Sequence, residues 1–422
     1  MIKGLAIRWQ IAILLCLITT VNYVDRQAFS IVIPVIADEF ALSNTDIGFI
    51  FSAFLFAYAI GQVIVGPIID RLGTKRAFSL AVIAWSIAGM LCAAGRGFWS
   101  FLSFRSLLGV AEATNFPAAL KSVAEWFPKA DRSLAVGIVT IGPGLGAMIS
   151  PPLLGFLIAT FGWRWAFIVP GLAGFAWLWV WRVFYHSPGS HPAISAEEKA
   201  LIVTDQTPVD AGAHSQPWYG FIRYFRYRQV WGLMLSRFFS DGAFYFYISW
   251  LPLYLSQARG FDIKQIAIFA WIPFLAADLG ALTGGWLGRR FIIAGMSLDR
   301  SRKILIWAGA LLVPMTLPAV TVDSPYLAIG LIGIAMFAIQ LKAVNLFALP
   351  ADMFPSRDVA TIWGFFGAVG SFGGMLFNGA VGWVTDEYSY GPVFVAVGVT
   401  QLISAAVIMW LVPEIKPVET EC

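Results

Sequence analysis

Asp25 and Arg26 stand side by side inside an apolar stretch, in Asn22-Tyr23-Val24-Asp25-Arg26. A charge at bilayer depth costs about 2.5–3.5 kcal/mol on insertion scales. Residues kept there at such a cost bind a ligand, move protons, or are hidden from lipid. Neighbours in sequence lie about 100° apart round a helix, so the two face different partners and do not pair with each other. Further on, Arg105 and Glu112 are seven residues apart, on one helix face, with a rise of about 10 Å between them. A carboxyl near an arginine titrates when a bound anion or a neighbouring charge moves its pKa; the plainer alternative is an ion pair between helices. Arg26 and Arg105 together make a cavity of anion-binding character, and guanidinium forks suit carboxylates. Tyr23, Tyr58 and Gln62 offer hydroxyl and amide groups, with simple packing as the alternative for each. Asp241, Tyr245, Tyr247 and Asn345 are the polar candidates of the second half. Asp241 also follows Arg237 by one turn and can pair with it instead. Asp278 and Lys342 are intramembrane charges with no role evident in the sequence; pairing within the second half is one outcome.

Elements that could position these residues must be membrane helices. The chain has 422 residues, 59% hydrophobic and only 12% charged, where a soluble domain carries about 25% charged residues. Twelve apolar spans are expected: 9–34, 46–69, 77–95, 100–127, 133–161, 164–185, 229–256, 263–293, 303–322, 325–353, 359–384 and 390–412. With both termini cytoplasmic, 19 of the 28 Lys and Arg fall on cytoplasmic ends and loops and four outside, which sets the orientation. Lys3 and Arg8 precede a first span without a cleavage site, so it reads as a retained helix. Cys16, Cys92 and Cys422 form no disulfide framework, and His186, His191 and His214 lack metal-ligand spacing. No metal and no cofactor are expected. The net charge of +4 reflects side bias, not nucleic-acid binding. An enzyme is not expected either, since no nucleophile–base or metal constellation is present.

The chain divides into a bundle over 1–185, a cytoplasmic linker over 186–228 and a second bundle over 229–422. Ser195-Ala-Glu-Glu198 in the linker is a capping-box pattern for a short helix. An offset of 227 residues aligns Ala124, Glu125, Phe127 and Pro128 with Ala351, Asp352, Phe354 and Pro355. It also aligns Gly137, Gly146, Gly155 and Gly171 with Gly364, Gly373, Gly382 and Gly398. Two related six-helix bundles around a midplane site is a transporter plan.

Between the second and third spans runs Gly66-Pro-Ile-Ile-Asp70-Arg71-Leu-Gly73-Thr-Lys75-Arg76. An acid at a helix end can neutralise a neighbouring helix N-terminus in one gate state and release it in another. Simple positive-inside anchoring accounts for the basic residues but not for Asp70. The string matches the loop signature of the major facilitator superfamily at every fixed position. With Tyr23-Val-Asp25-Arg26, Asn115-Phe-Pro-Ala-Ala-Leu-Lys121, Trp250-Leu-Pro252 and Leu349-Pro-Ala-Asp-Met-Phe-Pro355, the chain resembles the anion:cation symporter branch of that superfamily. Within the branch it is similar to bacterial hexuronate and hexonate transporters. The resemblance implies an all-α fold of twelve transmembrane helices in two pseudo-symmetric six-helix bundles. It implies a proton-coupled symporter importing a sugar acid by rocker-switch alternating access, monomeric, in the bacterial inner membrane. It assigns proton coupling to Asp25 and Glu112, the substrate carboxylate to Arg26 and Arg105, and a substrate contact to Tyr58. Galactonate-type members carry glutamine where this chain has Pro143 and Arg237, so those sugar contacts do not carry over. The expected binding set is Tyr23, Arg26, Tyr58, Arg105, Asp241 and Asn345, with gating by Gly66, Asp70, Arg71, Gly73 and Arg76. Gly142-Pro143-x-x-Gly146 partly matches an antiporter string. Sodium coupling, exchange, and a receptor without transport stand as alternatives.

Overall fold

Every regular element of the described residues is helical. The computed structural model describes residues 5–205, 224–354 and 356–416. The first half contains α1 (Ile7–Glu39), α2 (Asn44–Leu72), α3 (Thr74–Leu91), α4 (Phe98–Glu112), α5 (Asn115–Trp126), α6 (Lys129–Phe161) and α7 (Trp165–Phe184). After α8 (Ala196–Asp205) come α9 (Arg228–Arg259), α10 (Ile263–Phe269), α11 (Ile272–Ile293), α12 (Leu298–Leu312), α13 (Pro325–Met353), α14 (Ser356–Glu387) and α15 (Tyr390–Leu411).

The twelve expected spans recur with three of them interrupted, the ninth where α12 gives way to a 3-10 helix over Pro314–Val320. The fourth is split into α4 and α5 at Ala113-Thr114, and the eighth into α10 and α11 at Ala270-Trp271, with Pro273 in the first turn of α11. Pro lacks the N–H that a continuous helix would use there. Ten spans are long and apolar enough to cross a bilayer by composition alone. The fourth is not among them, since it carries Arg105, Glu112, Lys121 and Glu125. α9 is not among them either, and its N-terminal half carries Ser236, Arg237, Ser240 and Asp241. Several ends follow local chemistry. Ser43 and Asp46 form a capping box at the start of α2, and Gly73 (φ 75°) turns the chain into α3. Asp262 and Gln265 box the start of α10.

Helix packing repeats between the halves. In the first, α1 packs on α6, α2 on α4 and α3 on α7; in the second, α9 packs on α14, α11 on α13 and α12 on α15. The acids aligned by the repeat do parallel jobs. Glu125 accepts from Thr74 Oγ1 at 2.6 Å and Tyr185 Oη at 2.7 Å, while Asp352 pairs with Arg302 at 2.9 Å. Each ties the end of its helix to the start of the span before.

The halves meet through α1–α9, α2–α14 and α6–α10. One apolar core runs across both halves on the face away from the termini, joining Phe29, Phe51 and Trp163 to Tyr247, Trp250 and Phe394. On the terminal face the core divides into one cluster whose buried members lie in the first half and linker, touched from the second half by the partly buried Tyr245 and Met375, and one confined to the second half. The molecule is therefore sealed on one face and parted on the other.

The linker helix α8 belongs to the first half. Ser195 Oγ accepts from Glu198 N at 3.1 Å, half of the expected box. The Glu198 carboxylate turns away, to accept from Ile7 N at 3.1 Å and Arg8 N at 3.0 Å at the start of α1. Ile202 is buried under this contact. His191 packs against Trp126, Phe184 and His186, and burial holds its imidazole below the usual histidine range. His214 lies outside the described residues.

Candidate functional site

Arg26 and Glu112 meet in the interior of the first half. Arg26 Nε donates to Glu112 Oε2 at 3.1 Å, and the two side chains are 8% and 0% exposed. Glu112 is the last residue of α4, just before the break. Close packing of α2 on α4 brings the pair to Tyr58 and Phe54. A Cβ on Gly109 would lie 2.4 Å from the Phe54 carbonyl oxygen, and one on Gly61 would lie 2.7 Å from Ala113 Cβ. The Arg26 guanidinium lies 4.6 Å from the Tyr58 ring and 4.9 Å from the Tyr23 ring. Such faces favour a cation without neutralising it.

Arg105 stands one layer away. Its guanidinium carbon is 4.3 Å from the Phe54 ring and 5.2 Å from the Phe29 ring, and the side chain is 2% exposed. Its Nε and Nη1 have no hydrogen-bond partner among the described residues. Glu112 Oε1 and Asp25 Oδ2 are also without partners there. Buried polar atoms are satisfied in the great majority of cases, so four orphans on adjacent charges mark a place built for something else.

Asp25 points elsewhere. Its carboxylate faces Gly89 of α3, where a Cβ would come 3.4 Å from Oδ1. The helix turn separates Asp25 and Arg26 as the sequence requires: Arg26 reaches α4 and the cleft, Asp25 reaches α3.

Between the halves lies a narrow cavity of about 20 Å³, room for about one water. Arg26, Ser30, Phe54 and Arg105 line it from the first half, and Tyr245 and Ser249 from the second. Ser30 Oγ closes its floor by donating to the carbonyls of Ile248 at 3.0 Å and Ser249 at 2.6 Å. Two arginines, an aromatic wall and hydroxyls are the donor set that suits a carboxylate bearing hydroxyl groups, and the cleft must widen to admit one.

Second-half candidates divide. Tyr245 reaches the cavity, whereas Tyr247 packs on Phe246 and Phe394. Asp241 pairs with Arg237 at 2.8 Å, and the Arg237 guanidinium lies 4.5 Å from both the Phe347 and Phe366 rings. Asn345 is not brought to the cavity. Its Nδ2 donates to the carbonyls of Leu341 and Gly284 at 3.0 and 3.3 Å, and its Oδ1 accepts from Arg302 at 3.1 Å. Lys342 and Asp278 do not pair with each other. Lys342 Nζ donates to Gln401 Oε1 at 2.8 Å and Ser240 Oγ at 3.2 Å, while Asp278 lies against Gly144 of α6. Of the loop motif, Arg71, Gly73 and Arg76 are exposed at the turn between α2 and α3; the side-chain placements of Gly66 and Asp70 lie outside the described residues. Sequence reasoning missed Phe54 and Ser30. Phe54 stands one turn before Tyr58 and Ser30 one turn after Arg26, so helical spacing from those two residues was the available signal.

A sequence model described as the Major Facilitator Superfamily matches residues 15–341. The chain is 35% identical over 421 residues to the hexuronate transporter of Escherichia coli (strain K12), covering 99% of this chain and 96% of that one. It is 34% identical over 332 residues to the galacturonate transporter of Dickeya chrysanthemi, covering 78% of this chain and 95% of that one. Among solved structures, a bacterial homologue of the human lysosomal transporter Spinster, inward-facing and occupied, superposes with a TM-score of 0.72 at 20% identity, over 96% and 95% of the two chains. A D-xylose–proton symporter superposes with a TM-score of 0.70 at 17% identity, over 97% of each chain.

Proposed function

The chain belongs to the Major Facilitator Superfamily, and on that premise we propose that it imports a sugar-acid anion, a hexuronate first among them, together with protons, by alternating access. The observation that carries this reading is the buried Arg26–Arg105 pair at the cleft, with Arg105 N–H groups that no described residue occupies. The transport of hexuronate and galacturonate by relatives at 35% and 34% identity supports the same cargo class.

A sugar acid with a carboxyl pKa of about 3–4 is an anion at neutral pH. An inside-negative membrane opposes its entry by about 2.3 kcal/mol per 100 mV, and one accompanying proton removes that penalty. Glu112 is the group suited to couple the two. Ionised, it neutralises Arg26; protonated, it releases Arg26 to the substrate carboxylate. Asp25, beside Arg105 but turned to α3, is the second proton carrier. Tyr23, Tyr58 and Tyr245 bond or flank the sugar. With the termini in the cytoplasm of a bacterial inner membrane, as the basic residues favour, the parted face is the inner one. Substrate then leaves past Tyr58 and Tyr23 while Ser30 and Ser249 keep the outer side shut.

The test is accumulation by purified protein in proteoliposomes against a panel of uronates, aldonates and aldarates, with proton and sodium gradients varied separately. Glu112→Gln abolishes uphill accumulation and spares exchange of labelled substrate. Full accumulation by that variant, or uptake driven by sodium at fixed pH, overturns the coupling assignment.

A further inference from the structure

Asp386 lies in the last turn of α14, on the sealed face. Its Oδ1 accepts from Asn44 N at 2.9 Å and its Oδ2 from Thr45 N at 2.6 Å. These are the first two amides of α2, which have no partner within their own helix. The capping box of α2 leaves them over, because Ser43 Oγ serves the Asp46 amide and the Asp46 carboxylate serves the Ser43 amide. The start of α2 is thus completed by an acid from the opposite half.

The other bonds between the halves are made by neutral groups: Ser30 to the Ile248 and Ser249 carbonyls, Ser52 Oγ to the Met375 carbonyl at 2.7 Å, and Gln257 to the Asn44 side chain at 3.1 Å. Among the described residues, Asp386 brings the one ionised group to that set. It also sits where α2 and α14 pack closely. A Cβ on Gly382, one turn earlier, would lie 2.4 Å from the Asn44 carbonyl oxygen. Separation of α2 from α14 on this face therefore breaks both Asp386 bonds together. Asp386 is exposed, so water can take over both sides once they part, which makes the contact reversible rather than a permanent staple.

We propose that Asp386 is the charged latch of the sealed face, a positioning residue that holds the cleft shut there by capping α2 across the two halves and lets go when that face opens. The inference rests on the alternating-access reading, but its test needs no substrate. Spin labels at Arg96→Cys and Asp323→Cys, on the sealed-face loops of the two halves, report the opening in full-length protein whose native cysteines are replaced. Asp386→Asn should raise the long-distance population about three- to tenfold, because a carboxamide offers one acceptor and no charge to two amides. Asp386→Glu should keep the wild-type distribution. Asn44→Pro should open the face more than Asn44→Ala, since only the first removes the N–H, at a first-turn position that tolerates proline. Gly382→Ala, a steric wedge, is the control that must open it. Wild-type distances in Asp386→Asn and equal distances in the two Asn44 variants, with the wedge open, overturn the latch. Wild-type protein that takes up no sugar acid overturns the transport reading instead, and the distances still decide the latch.

Discussion

The two halves share a packing scheme but bury their charges in opposite ways. In the first, Asp25, Arg105 and Glu112 each keep a buried polar atom without a partner among the described residues. In the second, Asp241 is paired with Arg237 and Lys342 is bonded to Ser240 and Gln401. An unsatisfied buried donor costs about 1–3 kcal/mol, more when charged. A half that tolerates such costs holds its groups ready for a ligand or a proton. The second half is not fully satisfied either, since Asn378 Nδ2 has no partner among the described residues, but the charges of Asp241 and Lys342 are bonded and serve the frame. On the proposed transport reading, the same scaffold carries chemistry on one side and support on the other.

Arg105→Met separates function from stability most sharply. Its Nε and Nη1 bond no described residue, so an apolar side chain of similar volume costs the fold little and removes a desolvated charge. Transport should fall at least about a hundredfold, as expected for a lost charge-assisted contact of about 3 kcal/mol or more. The melting temperature should stay within a few degrees. A collapse of the melting temperature would make Arg105 structural. Asp241→Leu tests the opposite half. It removes the carboxylate that Arg237 Nε bonds at 2.8 Å, and breaking a buried pair costs about 3–5 kcal/mol. Thermal stability should drop clearly, with surviving protein still binding substrate. Stable protein without binding would move Asp241 into the site.

Much of this is legible in the order of the amino acids. Charges inside apolar spans pick out Asp25, Arg26, Arg105 and Glu112, because lipid makes each one expensive wherever it falls. The 227-residue offset marks the second bundle, and the paired roles of Glu125 and Asp352 explain why an acid persists at both places. What stays hidden depends on partners distant in sequence. Asn345 looks like a cavity amide, yet Arg302 and the Gly284 carbonyl absorb it. Glu198 reads as half of a local box, yet the free amides of α1 attract it more. Both outcomes follow from helix ends and buried amides needing partners, and sequence alone does not say which partner comes within reach.

Lys342→Met carries the smallest expected effect and tests the comparison most directly. Lys342 is fully buried, makes no ion pair among the described residues, and Asp241 is already engaged by Arg237. Removing its ammonium takes a donor from Gln401 Oε1, but Ser240 Oγ already donates to that oxygen at 3.4 Å and can close on it. The Gln401 amide keeps its own bond to the Ser240 carbonyl at 2.9 Å. No acceptor is left bare, and an apolar isostere in place of a bonded buried charge is often neutral or stabilising. Stability should change by less than about 1 kcal/mol, and transport by less than about fivefold. If transport instead fell as far as in Arg105→Met while the protein stayed folded, Lys342 would belong to the pathway. The division between a working half and a supporting half would then be wrong at its most buried charge.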